Sequence, residues 1–137
     1  MKNLILVSTL LLLWTNSVHC QTLLTKIEGG KALIIAVKPI GDAWTDPSDE
    51  HTLKIYKTDS AYIIELVQND ISKKRIITKN QLVEVSQYIT NWEEKKCKGL
   101  SCGLSYDIVK MKIGMKTNRF RTSQFSDADL IKKYFKE

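Results

Sequence analysis

The spacing of the apolar residues changes along this chain, and the change limits the folds that the chain can adopt. Between Leu53 and Ile77 the apolar side chains tend to alternate with polar ones, as they do in strands that bury one face. Between Leu82 and Trp92 they recur every three or four residues, which indicates an amphipathic helix. Alternation returns near Val109 and gives way to a second helical stretch. This order predicts an α+β domain.

The alternating stretches predict six strands, separated by polar and glycine-containing turns. They lie at residues 32–37, 53–56, 61–67, 71–77, 109–113 and 117–122. The first stretch is an unbroken apolar run, so we expect it to be buried on both faces. The fourth carries three adjacent charges, which predict a position at a sheet edge. Short connections favour antiparallel neighbours, so we expect one antiparallel sheet of about six strands with two helices packed on one face.

Capping boxes are predicted at the start of both helices, because a hydroxyl residue is followed three positions later by an acceptor. Thr78 and Gln81 form the first box, and Ser126 and Asp129 form the second. The apolar stripes that should face the sheet are Leu82, Val85, Ile89 and Trp92 in the first helix and Leu130, Ile131, Tyr134 and Phe135 in the second.

The first 20 residues have the pattern of an export signal. One lysine precedes an apolar run over residues 4–14, and a more polar stretch ends at Cys20. The run is shorter than the roughly 20 apolar residues of a membrane-spanning helix. We expect cleavage after Cys20, which leaves residues 21–137 as a single secreted or periplasmic domain with no membrane span. The alternative is a lipoprotein anchored at Cys20, which His19 disfavours because a lipobox has a small residue there.

Positive charge is concentrated in the second half of the chain. The whole chain carries 21 Lys and Arg against 15 Asp and Glu, a net charge of +6. Residues 21–70 contain five basic and eight acidic side chains, whereas residues 71–137 contain fifteen and seven. This asymmetry favours an anionic polymer or an acidic protein as partner, and an ordinary solvated surface is the alternative. Nucleic acid is not the expected partner in vivo of a chain that leaves the cytoplasm.

The candidate anion-binding residues are the basic side chains of the predicted strands. They are Lys73, Lys74, Arg75, Lys110, Lys112, Arg119 and Arg121. In the later strands these residues alternate with apolar ones, and successive side chains of a strand point to opposite faces. We therefore expect the basic side chains to point mostly away from the helices and to gather on one exposed face.

No cluster of residues in this sequence specifies a reaction, a metal or a cofactor, so no catalytic or cofactor-binding residue is predicted. Asp46, Asp49, Glu50 and His51 are usable metal ligands, but their spacing matches no calcium or zinc loop. A solvated acidic loop is the favoured interpretation. A non-enzymatic binding or interaction module is therefore the preferred function class. A small secreted hydrolase with a carboxylate-based site is the alternative.

We predict a disulfide between Cys97 and Cys102. After cleavage no other cysteine remains, and a close pair in an exported protein is expected to be oxidised. Loop-closure entropy gives the bridge a stabilising effect of about 2 kcal/mol. Non-reducing peptide mapping is expected to recover one linked peptide that contains both cysteines. Alkylation of both thiols in the folded protein without reductant would contradict the pairing and reopen a redox or metal role.

Overall fold

Six strands and three helices make up the described chain. The computed structural model describes residues 21–41, 50–94, 106–122 and 127–136. Helix α1 covers residues 21–28 and is followed by β1 (Leu33–Ile40), β2 (His51–Lys57), β3 (Tyr62–Gln68) and β4 (Ile71–Ile77). The chain continues with α2 (Lys79–Glu94), β5 (Tyr106–Ile113), β6 (Lys116–Thr122) and α3 (Ala128–Phe135). The predicted α+β class is confirmed.

All six strands belong to one antiparallel sheet with the order β4-β3-β2-β1-β5-β6. The first four strands run as a meander from the centre of the sheet to one edge. Helix α2 follows β4, and β5 then pairs with the free side of β1. The predicted six-stranded antiparallel sheet is confirmed, and β4 lies at an edge, as its charges predict. The other edge is β6.

One face of the sheet packs against the helices. Alternate residues of neighbouring strands are in register on this face, for example Leu33 with Ile55 and Ile35 with Leu53. They join apolar residues of all three helices in a single core. Its members are Ile27, Leu33, Ile35, Val37, Leu53, Ile55, Ile64, Leu66, Ile77, Leu82, Val85, Ile89, Val109, Met111, Phe120, Leu130 and Phe135. Burial of this apolar surface is the main force that holds the helices on the sheet.

Helix α1 is a departure from the sequence prediction, which contains two helices. It is only two turns long, so its apolar residues Leu23, Leu24 and Ile27 give too short a pattern to indicate a helix. The helix ends in a Schellman motif. The Gly30 N–H donates to the Ile27 carbonyl at 3.0 Å, and the next N–H donates to the Lys26 carbonyl at 3.0 Å. Gly30 has a φ of 83°, which glycine adopts without steric penalty.

Strand β1 differs from the stretch predicted at residues 32–37. Leu33 and Ile35 are buried against the helices, whereas Ile34 on the opposite face is only half-buried. The expectation of burial on both faces is therefore wrong, because the helices cover only one of them. The strand also continues through Pro39, which remains in register with β5.

The capping box predicted for the first helix is confirmed in α2. The Thr78 N–H donates to Gln81 Oε1 at 2.8 Å, and the Gln81 N–H donates to Thr78 Oγ1 at 3.2 Å. At α3 the N-cap residue is Asp127, whose side chain makes no capping hydrogen bond. Ser126, the first residue of the predicted second box, lies outside the described residues. Its partner Asp129 accepts a hydrogen bond of 3.3 Å from the Tyr88 hydroxyl of α2.

We predict that Thr78→Ala lowers the free energy of unfolding by about 1 kcal/mol, because the Gln81 N–H loses its capping acceptor. The matched control is Thr78→Ser, which keeps the hydroxyl and is expected to stay near the wild type. Urea denaturation followed by circular dichroism measures both changes. If the two variants are destabilised equally, the cap is not the source of the effect.

Candidate anion-binding surface

The face of the sheet opposite the helices, here called the open face, carries most of the predicted basic residues. It consists of the strand positions that alternate with the core positions. Its central residues Ile34 and Ile108 are half-buried, and its basic residues on β5 and β6 are exposed. No helix of the described chain packs on this face.

Four of the predicted residues form a cluster on the open face, here called the basic patch. Its members are Lys110 and Lys112 of β5 and Arg119 and Arg121 of β6. All four side chains are exposed. They lie on this face because the residues between them, Val109 and Met111 of β5 and Phe120 of β6, are buried in the core.

The turn that joins β5 to β6 fixes which side chains of the patch lie opposite each other. Ile113 and Lys116 are the last register pair, so Gly114 and one further residue form a two-residue turn. Gly114 has a φ of 58°, which suits glycine. This register places Lys110 directly opposite Arg119.

Two like charges therefore face each other across neighbouring strands. Strands lie about 4.8 Å apart, and alternate residues along one strand are about 7 Å apart. Within the described chain no carboxylate forms an ion pair with any patch member. Like charges in directly opposed positions destabilise a sheet. A bound anion would relieve that repulsion.

An aromatic ring borders the patch. The guanidinium carbon of Arg121 lies 5.4 Å from the ring centroid of Tyr106, which is within range of a cation–π interaction. Tyr106 is in register with Ile40 on the open face and is half-buried. The ring limits the positions that the Arg121 side chain can adopt and adds a flat surface beside the charges.

The predicted basic residues of β4 do not join the patch, because β4 and β6 are opposite edges of the sheet. Lys74 lies on the open face in register with Glu65. Lys73 and Arg75 are in register with the core residues Leu66 and Ile64, so they lie on the helix side of the edge strand, where they are exposed. These two residues therefore depart from the expectation that the basic side chains point mostly away from the helices and gather on one exposed face.

The open face near β4 contains its own counter-charge, Glu65, which the sequence did not single out. Ser72 Oγ donates a hydrogen bond of 2.5 Å to Glu65 Oε1, and Lys74 Nζ is 3.9 Å from the same oxygen. The Ser72 hydrogen bond, helped by the charges of Lys54 and Lys74, lowers the pKa of Glu65 despite the opposing effect of burial. The carboxylate is therefore ionised at neutral pH and offsets lysine charge here. The unbalanced part of the face is the patch on β5 and β6.

Two of the residues considered as metal ligands, Glu50 and His51, lie in the described chain, and each contacts another side chain. His51, the first residue of β2, contacts the carboxylate of Asp127 through its Nε2 atom, and both side chains are about nine-tenths buried. Glu50 forms an ion pair of 3.7 Å with Lys38. Among the residues that the structure describes, no group of three His, Cys, Asp or Glu side chains could hold a metal.

Several residues on which predictions were made lie outside the described chain. They are residues 1–20, Asp46, Asp49, Cys97 and Cys102, and the side chain of Trp92. In the described part of the chain, no helix combines the length and the apolar character that crossing a membrane requires.

Comparison with known proteins finds no matching family model, no matching curated protein and no matching solved structure. The fold and the surface therefore define this chain as an α+β protein. It has a six-stranded antiparallel sheet with helices on one face and a basic patch on the other.

We predict that Asp127→Ala lowers the free energy of unfolding by about 2 kcal/mol, because it leaves the buried His51 ring without its carboxylate partner. The matched control is Asp129→Ala, which removes an exposed carboxylate two residues away that accepts a long hydrogen bond from Tyr88 within the described chain. We expect its effect to be about 0.5 kcal/mol. Urea denaturation of both variants tests the difference, and equal losses would show that the His51 contact does not anchor α3.

Proposed function

We propose that this protein is a non-enzymatic binding module that holds an anionic polymer on the open face of its sheet. The observation that carries the proposal is the opposition of Lys110 and Arg119 within a patch of four basic side chains. Repulsion between them costs folding stability, and the described chain supplies no carboxylate that offsets it. An external anion that binds between these charges would offset their repulsion and so stabilise the folded protein.

The shape of the patch favours a polymer over a small anion. Its four residues are spread over two neighbouring strands, whose backbones lie about 4.8 Å apart, with about 7 Å between alternate residues along each strand. An extended chain with repeated negative groups can contact several of these charges at once. The Tyr106 ring and the half-buried Ile108 next to Arg121 provide apolar contact along the same face.

The predicted export signal supports a place of action outside the cytoplasm, with the domain secreted or periplasmic. Lipid anchoring at Cys20 is the alternative. Outside the cytoplasm the candidate polymers are anionic glycans and cell-envelope polymers. An acidic protein is the other candidate partner, because it carries the same sign of charge. Among the described carboxylates, Glu50, Glu65 and Asp127 are each held by a partner side chain. A small secreted hydrolase with a carboxylate-based site remains the alternative function.

We predict that removing the patch charges weakens binding to heparin, a probe polyanion, at least tenfold, which corresponds to about 1.4 kcal/mol. The variant changes Lys110, Lys112, Arg119 and Arg121 to Gln, which removes the charge and keeps a polar side chain. Retention on a heparin column and the dissociation constant at several salt concentrations measure the effect. Exposed charges are screened beyond about 8 Å at physiological salt, so wild-type affinity is expected to fall steeply as salt rises.

The matched control changes Lys73, Arg75, Lys132 and Lys136 to Gln and therefore removes the same net charge from other surfaces. We expect it to elute close to the wild type. If both variants lose affinity equally, binding depends on net charge and not on the patch. If the wild type itself elutes at low salt, the open face is an ordinary solvated surface.

A further inference from the structure

A cleft of about 540 Å³ lies on the helix side of the sheet, away from the basic patch. It is bounded by α1, by the carboxyl-terminal part of α2 and by the β5–β6 hairpin. The helices cover Phe120 and Thr122 of β6 but leave Asn118 and Lys116, on the same face, exposed. The helix layer therefore stops short of the hairpin turn. The volume is that of a typical small-molecule site.

The inner wall of the cleft is apolar. Apolar residues of α1, α2, β1 and β5 line it, namely Leu23, Leu33, Ile89, Met111 and Ile113. Leu33, Ile89 and Met111 are buried, so the half-buried Leu23 and Ile113 present the apolar surface that a ligand can reach. Leu33 is the register partner of Ile113 and supports it from the neighbouring strand. Displacement of water from such a surface by an apolar ligand makes the free energy of binding more favourable.

Two lysines line the same cleft, Lys26 of α1 and Lys116 of β6. Neither lysine forms an ion pair with a described residue. The hydroxyl residue Thr90 lies among the described lining residues, which include no carboxylate. The cleft thus combines an apolar wall with uncompensated positive charge, and a complementary ligand has an apolar body and one anionic end.

We propose that this cleft binds a single-chain fatty acid, with its carboxylate at Lys26 and Lys116 and its alkyl chain against Leu23 and Ile113. The volume is on the scale of one small ligand, which favours a single acyl chain over a two-chain lipid. This site shares no charged residue with the basic patch. The proposal therefore does not depend on polymer binding, and either one can fail without the other.

The test measures dodecanoate binding by isothermal titration calorimetry, on protein purified from cells that express the full 137-residue chain and then freed of lipid. Dodecanol and dodecyltrimethylammonium have the same alkyl chain without the negative charge. We expect dodecanoate to bind at least tenfold more tightly than either. Affinity is also expected to rise about fourfold for each CH₂ added from octanoate upward, until the cleft is full.

Variants locate the ligand in the cleft. Lys26→Gln combined with Lys116→Gln is expected to weaken dodecanoate binding about tenfold and to change dodecanol binding less than twofold. Leu23→Trp, which places a larger side chain at the apolar wall, is expected to weaken both. The matched control, Lys132→Gln with Lys136→Gln, removes the same charge from α3 and its C-cap and should leave both affinities within twofold of wild type.

Three results would overturn the proposal. The first is the absence of dodecanoate binding to the wild type. The second is equal weakening by the cleft variant and by the α3 control, which would show that net charge alone attracts the ligand. The third is loss of dodecanoate binding in the basic-patch variant but not in the cleft variant, which would place the fatty acid on the open face.

Discussion

Burial of one face of the sheet by three helices is the constraint on which the rest of the structure depends. Because the side chains of a strand alternate, each residue that enters the core sends its neighbours to the open face. Val109 and Met111 are buried, and Lys110 between them is therefore exposed. The positive charge of Lys110, Lys112, Arg119 and Arg121 gathers on one surface as a consequence of core packing, without any separate structural device.

The parts of the fold that could be predicted from sequence are those determined by local pattern. The strand alternation, the helical stripe of α2 and the reciprocal hydrogen bonds of Thr78 and Gln81 each involve residues close together in the chain. The edge position of β4 followed from its three charges, because a row of charges is costly in the middle of a sheet. These predictions needed no knowledge of which distant segments meet.

The parts that could not be predicted depend on contacts between distant residues. Helix α1 is two turns long, so its sequence pattern is too short to indicate a helix. The helix is held in place by the packing of Ile27 into the core, which the sequence does not show. The contact between His51 and Asp127 joins residues 76 positions apart, so no spacing rule connects them. The counter-charge at Glu65 depends in part on Ser72, which reaches it only across the pairing of β3 with β4. In the candidate site, strand alternation identified the patch on β5 and β6. It could not show that β4 lies at the opposite edge.

The two proposed sites use opposite faces of one hairpin. Met111 and Ile113 line the cleft, whereas Lys110 and Lys112 belong to the basic patch. A shift of the β5–β6 register by one residue would send every β6 side chain to the other face, moving Arg119 toward the core and Phe120 into solvent. Both surfaces therefore depend on the turn at Gly114. That turn favours glycine, because its backbone has a φ of 58° and a Cβ atom at Gly114 would push the Lys31 side chain, whose Cδ would lie 3.1 Å away. Its geometry keeps the charged and apolar faces of the hairpin apart, which the proposed polymer surface and the proposed fatty-acid cleft both require.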